Sequence, residues 1–178
     1  MKNKFLFLLS ILSFAFILQS FELPKNILKK VTKEVKSVYE IENFSLEQIL
    51  ISEELNNQLK TKIEKDNLFK ILNDTILIGY AFVDQAPSKT DEFDYLVLFD
   101  TDMIIKKSKV LVYREDYGAE IGSKRWLKQF IGLDSHSEIE YGNEIVPISG
   151  ATISAYSMTV AINNLLKTLV VLQKKNIL

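Results

Sequence analysis

The sequence contains no cysteine and a single histidine, His136, in 178 residues. The first absence excludes disulfides, Cys-based zinc or iron–sulfur centres and thiol catalysis. It also excludes a lipid-modified N-terminal cysteine. The second excludes a multi-histidine metal site and argues against a Ser–His–Asp triad. Neither charge is in excess: 22 Lys and Arg stand against 23 Asp and Glu, a net charge of −1. A whole-protein electrostatic case for nucleic-acid binding is therefore missing, and no nucleic-acid partner is expected. With so much common chemistry absent, any activity must come from carboxylates, hydroxyls or an imported cofactor. What is present is a globular composition, 47% apolar and 25% charged, in a length that suits one domain and a short appendage.

Residues 1–20 read as a targeting segment. Lys2 and Lys4 precede an uncharged stretch from Phe5 to Phe21, interrupted in its apolar core by Ser10 and Ser13. Its 17 residues fall just short of the roughly 20 needed to span a bilayer. The pattern is that of a signal peptide, with an uncleaved N-terminal anchor as the other reading. Both place the domain outside the cytoplasm, in the periplasm or anchored to the membrane facing it. Removing Lys2 and Lys4 leaves 20 basic against 23 acidic residues.

Residues 21–67 read as a helical N-terminal part. Leu28, Val31, Val35, Val38 and Tyr39 recur at helical spacing among lysines after Pro24. Residues 46–65, rich in Glu, Gln, Leu and Lys, suggest a second helix, opened by Ser45 with Gln48 three positions on. The pattern changes at residue 68, where a second unit, 68–178, begins. Leu68–Leu72, the Asn73-Asp74 turn and Thr75–Val83 read as a hairpin, closed by a polar loop from Ala86. Tyr95–Phe99 and Ile104–Arg114 add two strands. Ser123–Phe130 reads as a short helix carrying Trp126, and Tyr156–Lys174 as a long one with a stripe of Met158, Ile162, Leu165, Leu166, Leu169 and Leu172. The expected class is α+β: an antiparallel sheet of four or five strands, packed by helices, with a long C-terminal helix.

The informative segment is Pro147-Ile148-Ser149-Gly150-Ala151-Thr152-Ile153-Ser154, directly before that helix. Small residues and hydroxyls entering a helix N-terminus can seat a phosphate on free N–H groups. Gly150 allows the backbone to approach a bulky ligand. The same residues can equally serve as a helix cap with no ligand.

The segment Ser149-Gly150-Ala151-Thr152-Ile153-Ser154 resembles the flavinylation motif of the FMN-binding domain family. That family includes the C subunit of the sodium-pumping NADH:quinone reductase and the G subunit of Rnf-type complexes. The resemblance implies FMN bonded through a phosphoester to Thr152, framed by Ser149, Gly150, Ala151 and Ser154. It implies a separate extracytoplasmic flavin transferase as the partner that makes the bond, and membrane or extracytoplasmic redox partners. A second block is similar to the family's Glu-Thr-Pro-Gly loop and the aromatic–Gln-Phe-x-Gly stretch behind it. Here it reads Glu115-Asp116-Tyr117-Gly118, then Trp126 to Gly132. Asp116-Tyr117 replaces the usual Thr-Pro. The resemblance places Glu115, Gly118 and Trp126 near the isoalloxazine. Two functions follow: an exported electron carrier, or a nonredox exported module whose Ser-Gly-Ala-Thr segment only caps a helix.

Overall fold

The computed structural model describes residues 23–178, so the targeting segment lies outside the described residues. The described residues begin with helix α1 (Lys25–Tyr39), strand β1 (Ser45–Gln48) and the one-turn helix α2 (Glu53–Asn56). Strands β2 (Leu68–Asn73), β3 (Ile76–Pro87), β4 (Glu92–Phe99) and β5 (Ile105–Val112) follow. A 3-10 turn (Ala119–Gly122), the short helix α3 (Lys124–Leu127) and a second 3-10 turn (Lys128–Phe130) lead to the last helix, α4 (Thr152–Lys174). The five strands form one antiparallel sheet in chain order, β1-β2-β3-β4-β5. The α+β class, the antiparallel sheet and the long C-terminal helix are as the sequence predicts.

Alternation along the strands builds a three-layer molecule. Leu68, Tyr80, Phe82, Phe93, Tyr95, Val97 and Phe99 face one side of the sheet and pack with Met158, Ile162, Leu165 and Leu169 of α4. Phe69, Ile71, Ala81, Val83, Leu96 and Leu98 face the other side and meet Ile27, Val31 and Val35 of α1. Strand β4 is thus apolar on both faces, and its sequence reads as a run rather than an alternation. Among the described residues α4 is the one helix long and apolar enough to cross a bilayer, but ten of its residues are buried. It is the core helix.

Three expectations are corrected. Residues 46–65 do not form the one long helix expected: they hold most of strand β1 and the single turn α2. Ser45 and Gln48 lie in β1, paired with Leu72 and Phe69 of β2, and are not a capping box. The cap belongs to Ser52, whose Oγ accepts from Leu55 N–H at 3.3 Å at the start of α2. β1 therefore belongs to the same sheet as the strands after residue 68. Strand β3 does not end at Val83 but runs on to Pro87, opposite Glu92 at the hairpin end. Helix α4 starts at Thr152, four residues before the expected Tyr156.

Two polar groups, one buried and one half-buried, set measurable stabilities. The Tyr95 side chain is fully buried, and among the described residues its hydroxyl has no hydrogen-bond partner. Tyr95→Phe keeps the packing on Phe82 and Phe93 and removes the orphan. It is expected to stabilise the protein by about 1 kcal/mol, read as a higher urea midpoint at unchanged m. Burial, with the Glu64 and Glu92 charges adding to it, pushes the Asp84 carboxyl up to about 6, against one hydrogen bond from Gln85 N–H that lowers it. The folded state then holds this proton where the unfolded chain has lost it. The resulting stability is full below the usual carboxylate value and is lost as pH rises through about 6. Asp84→Asn keeps an acceptor for Gln85. It is expected to flatten that slope and to add about 1–2 kcal/mol at pH 7, after discounting for partial exposure. Urea titrations between pH 4 and pH 7 check this.

Candidate functional site

The backbone turns into α4 through Gly150, whose φ of 85° is left-handed and unfavourable for a side chain. A Cβ there would lie 3.1 Å from the Glu120 carboxylate. Ala151 is the N-cap, and no side chain caps the helix. Thr152 is the first helical residue and is exposed. Its hydroxyl has no hydrogen-bond partner among the described residues. Ser149 is exposed as well, and Ala151 is buried. The helix therefore presents the positive end of its dipole, uncapped by a side chain, beside two accessible hydroxyls, those of Ser149 and Thr152, and near the Glu120 carboxylate.

The loop after β5 packs against this turn. Gly118 is also left-handed, at φ 92°, and a Cβ there would come within 3.5 Å of the Gly150 carbonyl oxygen. The Tyr113 hydroxyl bonds the Tyr117 carbonyl and Ser154 Oγ, both at 3.0 Å. Ser154 is 2% exposed, so its hydroxyl supports the loop and is closed to a ligand. Ser157 Oγ donates to the Pro87 carbonyl, tying the first turns of α4 to the end of β3. These bonds bring Gly118, Gly150, Ala151, Thr152 and Ser154 together.

Glu115 reaches the same end of the sheet but is already engaged. Its Oε1 accepts from Ser88 Oγ at 2.5 Å, Thr90 N–H at 2.7 Å and Asp91 N–H at 3.2 Å. The Ser88 hydroxyl first, then the Thr90 amide, hold this carboxyl below the usual carboxylate value. Glu115 thus fastens the β3–β4 turn to the loop after β5. Trp126 is 4% exposed, packed edge-on against Phe130 at 5.2 Å. Its Nε1 donates to the Val146 carbonyl at 2.8 Å, and Gln129 Oε1 accepts from Val146 N–H at 2.8 Å. Trp126 and Gln129 therefore hold the strand of chain leading into Ser149. They also line a cleft of about 220 Å³ with Arg125, Pro147 and Ile148.

Several residues around the turn escaped the sequence reading. Tyr113 and Gln129 position the segment through hydroxyl and amide bonds. Ile153 and Tyr156 form an exposed apolar surface on the first turns of α4. Tyr156 meets Tyr141 edge-on at 6.0 Å, and the buried Tyr141 hydroxyl has no partner among the described residues. A Tyr four residues after Thr152 marks one helix face, the one signal the sequence carried for this surface. The acids near β4 have structural tasks. Asp94 pairs with Arg114 at 2.5 Å, and Asp100 Oδ1 accepts from Asp102 and Ile104 N–H in the β4–β5 turn.

The donor set fits a flavin mononucleotide. A bare glycine, an uncapped helix start and an accessible hydroxyl suit its phosphate, and the exposed Ile153 and Tyr156 suit its apolar ring. Comparison with known proteins points the same way. The model of the FMN-binding domain matches residues 89–167, which contain every one of these residues except Pro87 and Ser88. No curated protein matches the chain. Residues 89–167 therefore form an FMN-binding domain, and the cofactor this domain indicates is FMN.

Proposed function

We propose that the protein is an extracytoplasmic electron carrier that holds FMN covalently, through a phosphoester to Thr152 Oγ1, and is loaded by a separate flavin transferase. The observation that carries this reading is the start of α4. A hydroxyl that served as a cap would accept from a first-turn N–H, and no side chain does so. The nonredox alternative, in which Ser149 to Ser154 only caps the helix, lacks the bond it requires.

FMN supplies the redox chemistry when bound. The chain's own residues bind and orient it. First-turn N–H groups of α4 would receive its phosphate, and a glycine at position 150 keeps a side chain out of the space beside the Glu120 carboxylate. Forming the ester joins Thr152 Oγ1 to the flavin's phosphorus, breaks the phosphoanhydride bond of an activated flavin donor so that its other phosphate leaves with the electron pair, and releases the hydroxyl proton. Thr152 has no hydrogen-bonded base among the described residues, so the base and the activated flavin donor belong to the transferase. A covalent tether suits an exported carrier. A noncovalent site empties by mass action where free FMN is dilute, whereas a tether keeps the cofactor at high local concentration.

The test is expression with and without a flavin transferase, in an exporting host. The expected result is a yellow, fluorescent protein with the transferase, whose peptide containing Thr152 carries the mass of FMN through denaturation. Without the transferase, circular dichroism is expected to report a folded, colourless protein. Covalent flavin acquired alone, or none with the transferase, refutes the reading.

A further inference from the structure

We propose that the lysine-lined cleft along the free edge of β5 is a docking site for an extended acidic segment of a partner protein, which adds beside β5 as a sixth strand. β5 ends the sheet. Its first residue is closed off, since Ile105 N–H donates to the Leu133 carbonyl and its own carbonyl accepts from Gly132 N–H, each at 2.8 Å. Its far end is closed by Lys30 Nζ on the Leu111 carbonyl at 2.5 Å. Between these stops, residues 106–110 have no neighbouring strand on that side. That length is about 17 Å of strand, enough for a five-residue segment.

The edge lies at the floor of a cleft of about 610 Å³. α1 forms one wall, and α3 with the turn after it forms the other. Lys33, Lys106, Lys107, Lys109, Lys124 and Lys128 line it, against one acid, Glu34, which is held by Lys107 at 2.5 Å. This concentration is local, because the chain as a whole has a net charge of −1. Lysines on an edge strand repel neutral or basic strands. That accounts for Lys106, Lys107 and Lys109. It does not account for the lysines on both walls, which face the same space from different elements. Together they favour an acidic strand and disfavour others.

The shape decides between anionic partners. A bilayer is flat and offers nothing to a row of backbone N–H and C=O groups. An extended chain enters between walls and pairs with that row, and the exposed Ile131 at the rim offers a contact for an alternate apolar side chain. α3 separates the cleft from the Trp126 side that supports Val146. A partner docked there sits about one helix diameter, ~10 Å, from the segment leading to Thr152. The inference rests on the cleft alone and does not require attached FMN.

The probe is a fluorescein-labelled twelve-residue peptide alternating Glu with Val and Thr, followed by anisotropy on the full chain. Binding is expected at low salt, weakening as salt rises. The triple variant Lys106→Glu, Lys109→Glu, Lys128→Glu is expected to weaken it at least tenfold. Lys25→Glu, Lys29→Glu, Lys174→Glu, with the same change in net charge, is expected to weaken it less than threefold. Amide exchange at residues 106–110 is expected to slow on binding. If the triple variant fails to fold, Lys124→Glu with Lys128→Glu, both exposed and off the sheet, is expected to give the same loss. Four results overturn the proposal: no binding, an equal loss in the two triple variants, equal binding of a peptide of the same charge interrupted by prolines, or binding of phosphatidylglycerol vesicles through these lysines without binding of the peptide.

Discussion

Thr152→Ala, made with a flavin transferase, is expected to yield a folded protein with no covalent flavin, a loss of at least a hundredfold in bound FMN. The side chain is exposed and makes no hydrogen bond among the described residues, so its removal leaves the fold undisturbed, and Ala is well suited to a helix. The loss is then chemical. Two other hydroxyls lie close by. Ser154 is buried and bonded to Tyr113, and Ser149 precedes the left-handed Gly150, outside the helix. Neither occupies the first helical position. Ser149→Ala is therefore expected to retain flavin, and Thr152→Ser to retain part of it. Peptide mass mapping after denaturation, beside circular dichroism, reads both quantities. Flavin found on Ser149 or Ser154, or kept by Thr152→Ala, contradicts the assignment.

Gly79→Ala is expected to cost about 3 kcal/mol, a loss of stability large for the addition of one methyl group. Gly79 lies inside β3, opposite Ile71 of β2. A Cβ there would come within 2.3 Å of the Phe99 carbonyl oxygen and 2.5 Å of the Tyr39 hydroxyl. Those two atoms are bonded to each other at 2.6 Å, which is how the end of α1 is fastened to β4. The first is backbone in an adjacent strand and has nowhere to move. The second can swing away only by breaking the bond and lifting the last turn of α1 from the sheet. Urea unfolding measures the cost. A double variant separates its parts: Gly79→Ala is expected to cost less on a Tyr39→Ala background, because half of the clash is gone.

The outer architecture was legible because burial writes itself into the sequence. The apolar run of β4 and the stripe of α4 each admit one arrangement, and both are buried as expected. Helix α1 was legible for the same reason, although its innermost residues are Ile27, Val31 and Val35, with Leu28 and Val38 partly covered. Residues 46–65 were not legible. Their Glu, Gln, Leu and Lys favour a helix intrinsically, but pairing with the open edge of β2 overrides that preference over four residues. Ser45 and Gln48 imitate a capping box that the structure does not build.

The site divides along the same line. The acceptor segment stands out through its residue types and the helix behind it. Its supports do not, because they act across the chain. Tyr113 reaches Ser154 over 41 positions, Trp126 reaches Val146 over 20, and Glu115 reaches Ser88 over 27. Each of these is an ordinary polar or aromatic residue until the fold brings its partner to it. Glu115 shows the consequence. The resemblance places it near the flavin ring, whereas its Oε1 is occupied by the β3–β4 turn.

The meander order also dictates how the chain reaches its native state. Every strand pairs with its predecessor, and from β2 onward each hairpin closes a short loop, so little entropy is spent before those contacts form, whereas residues 49–67 separate β1 from β2. The last helix is different. It packs across strands that precede it by many residues, chiefly β3. Thr152, the proposed acceptor, begins that helix. Of the five strands, the stretch that matches the family model, residues 89–167, includes only β4 and β5. A fragment cut to that stretch lacks β3, the surface that α4 contacts most. On the proposed reading, loading therefore reports completion: a transferase that selects the ordered helix start passes over chains still assembling, and the flavin marks those that have folded.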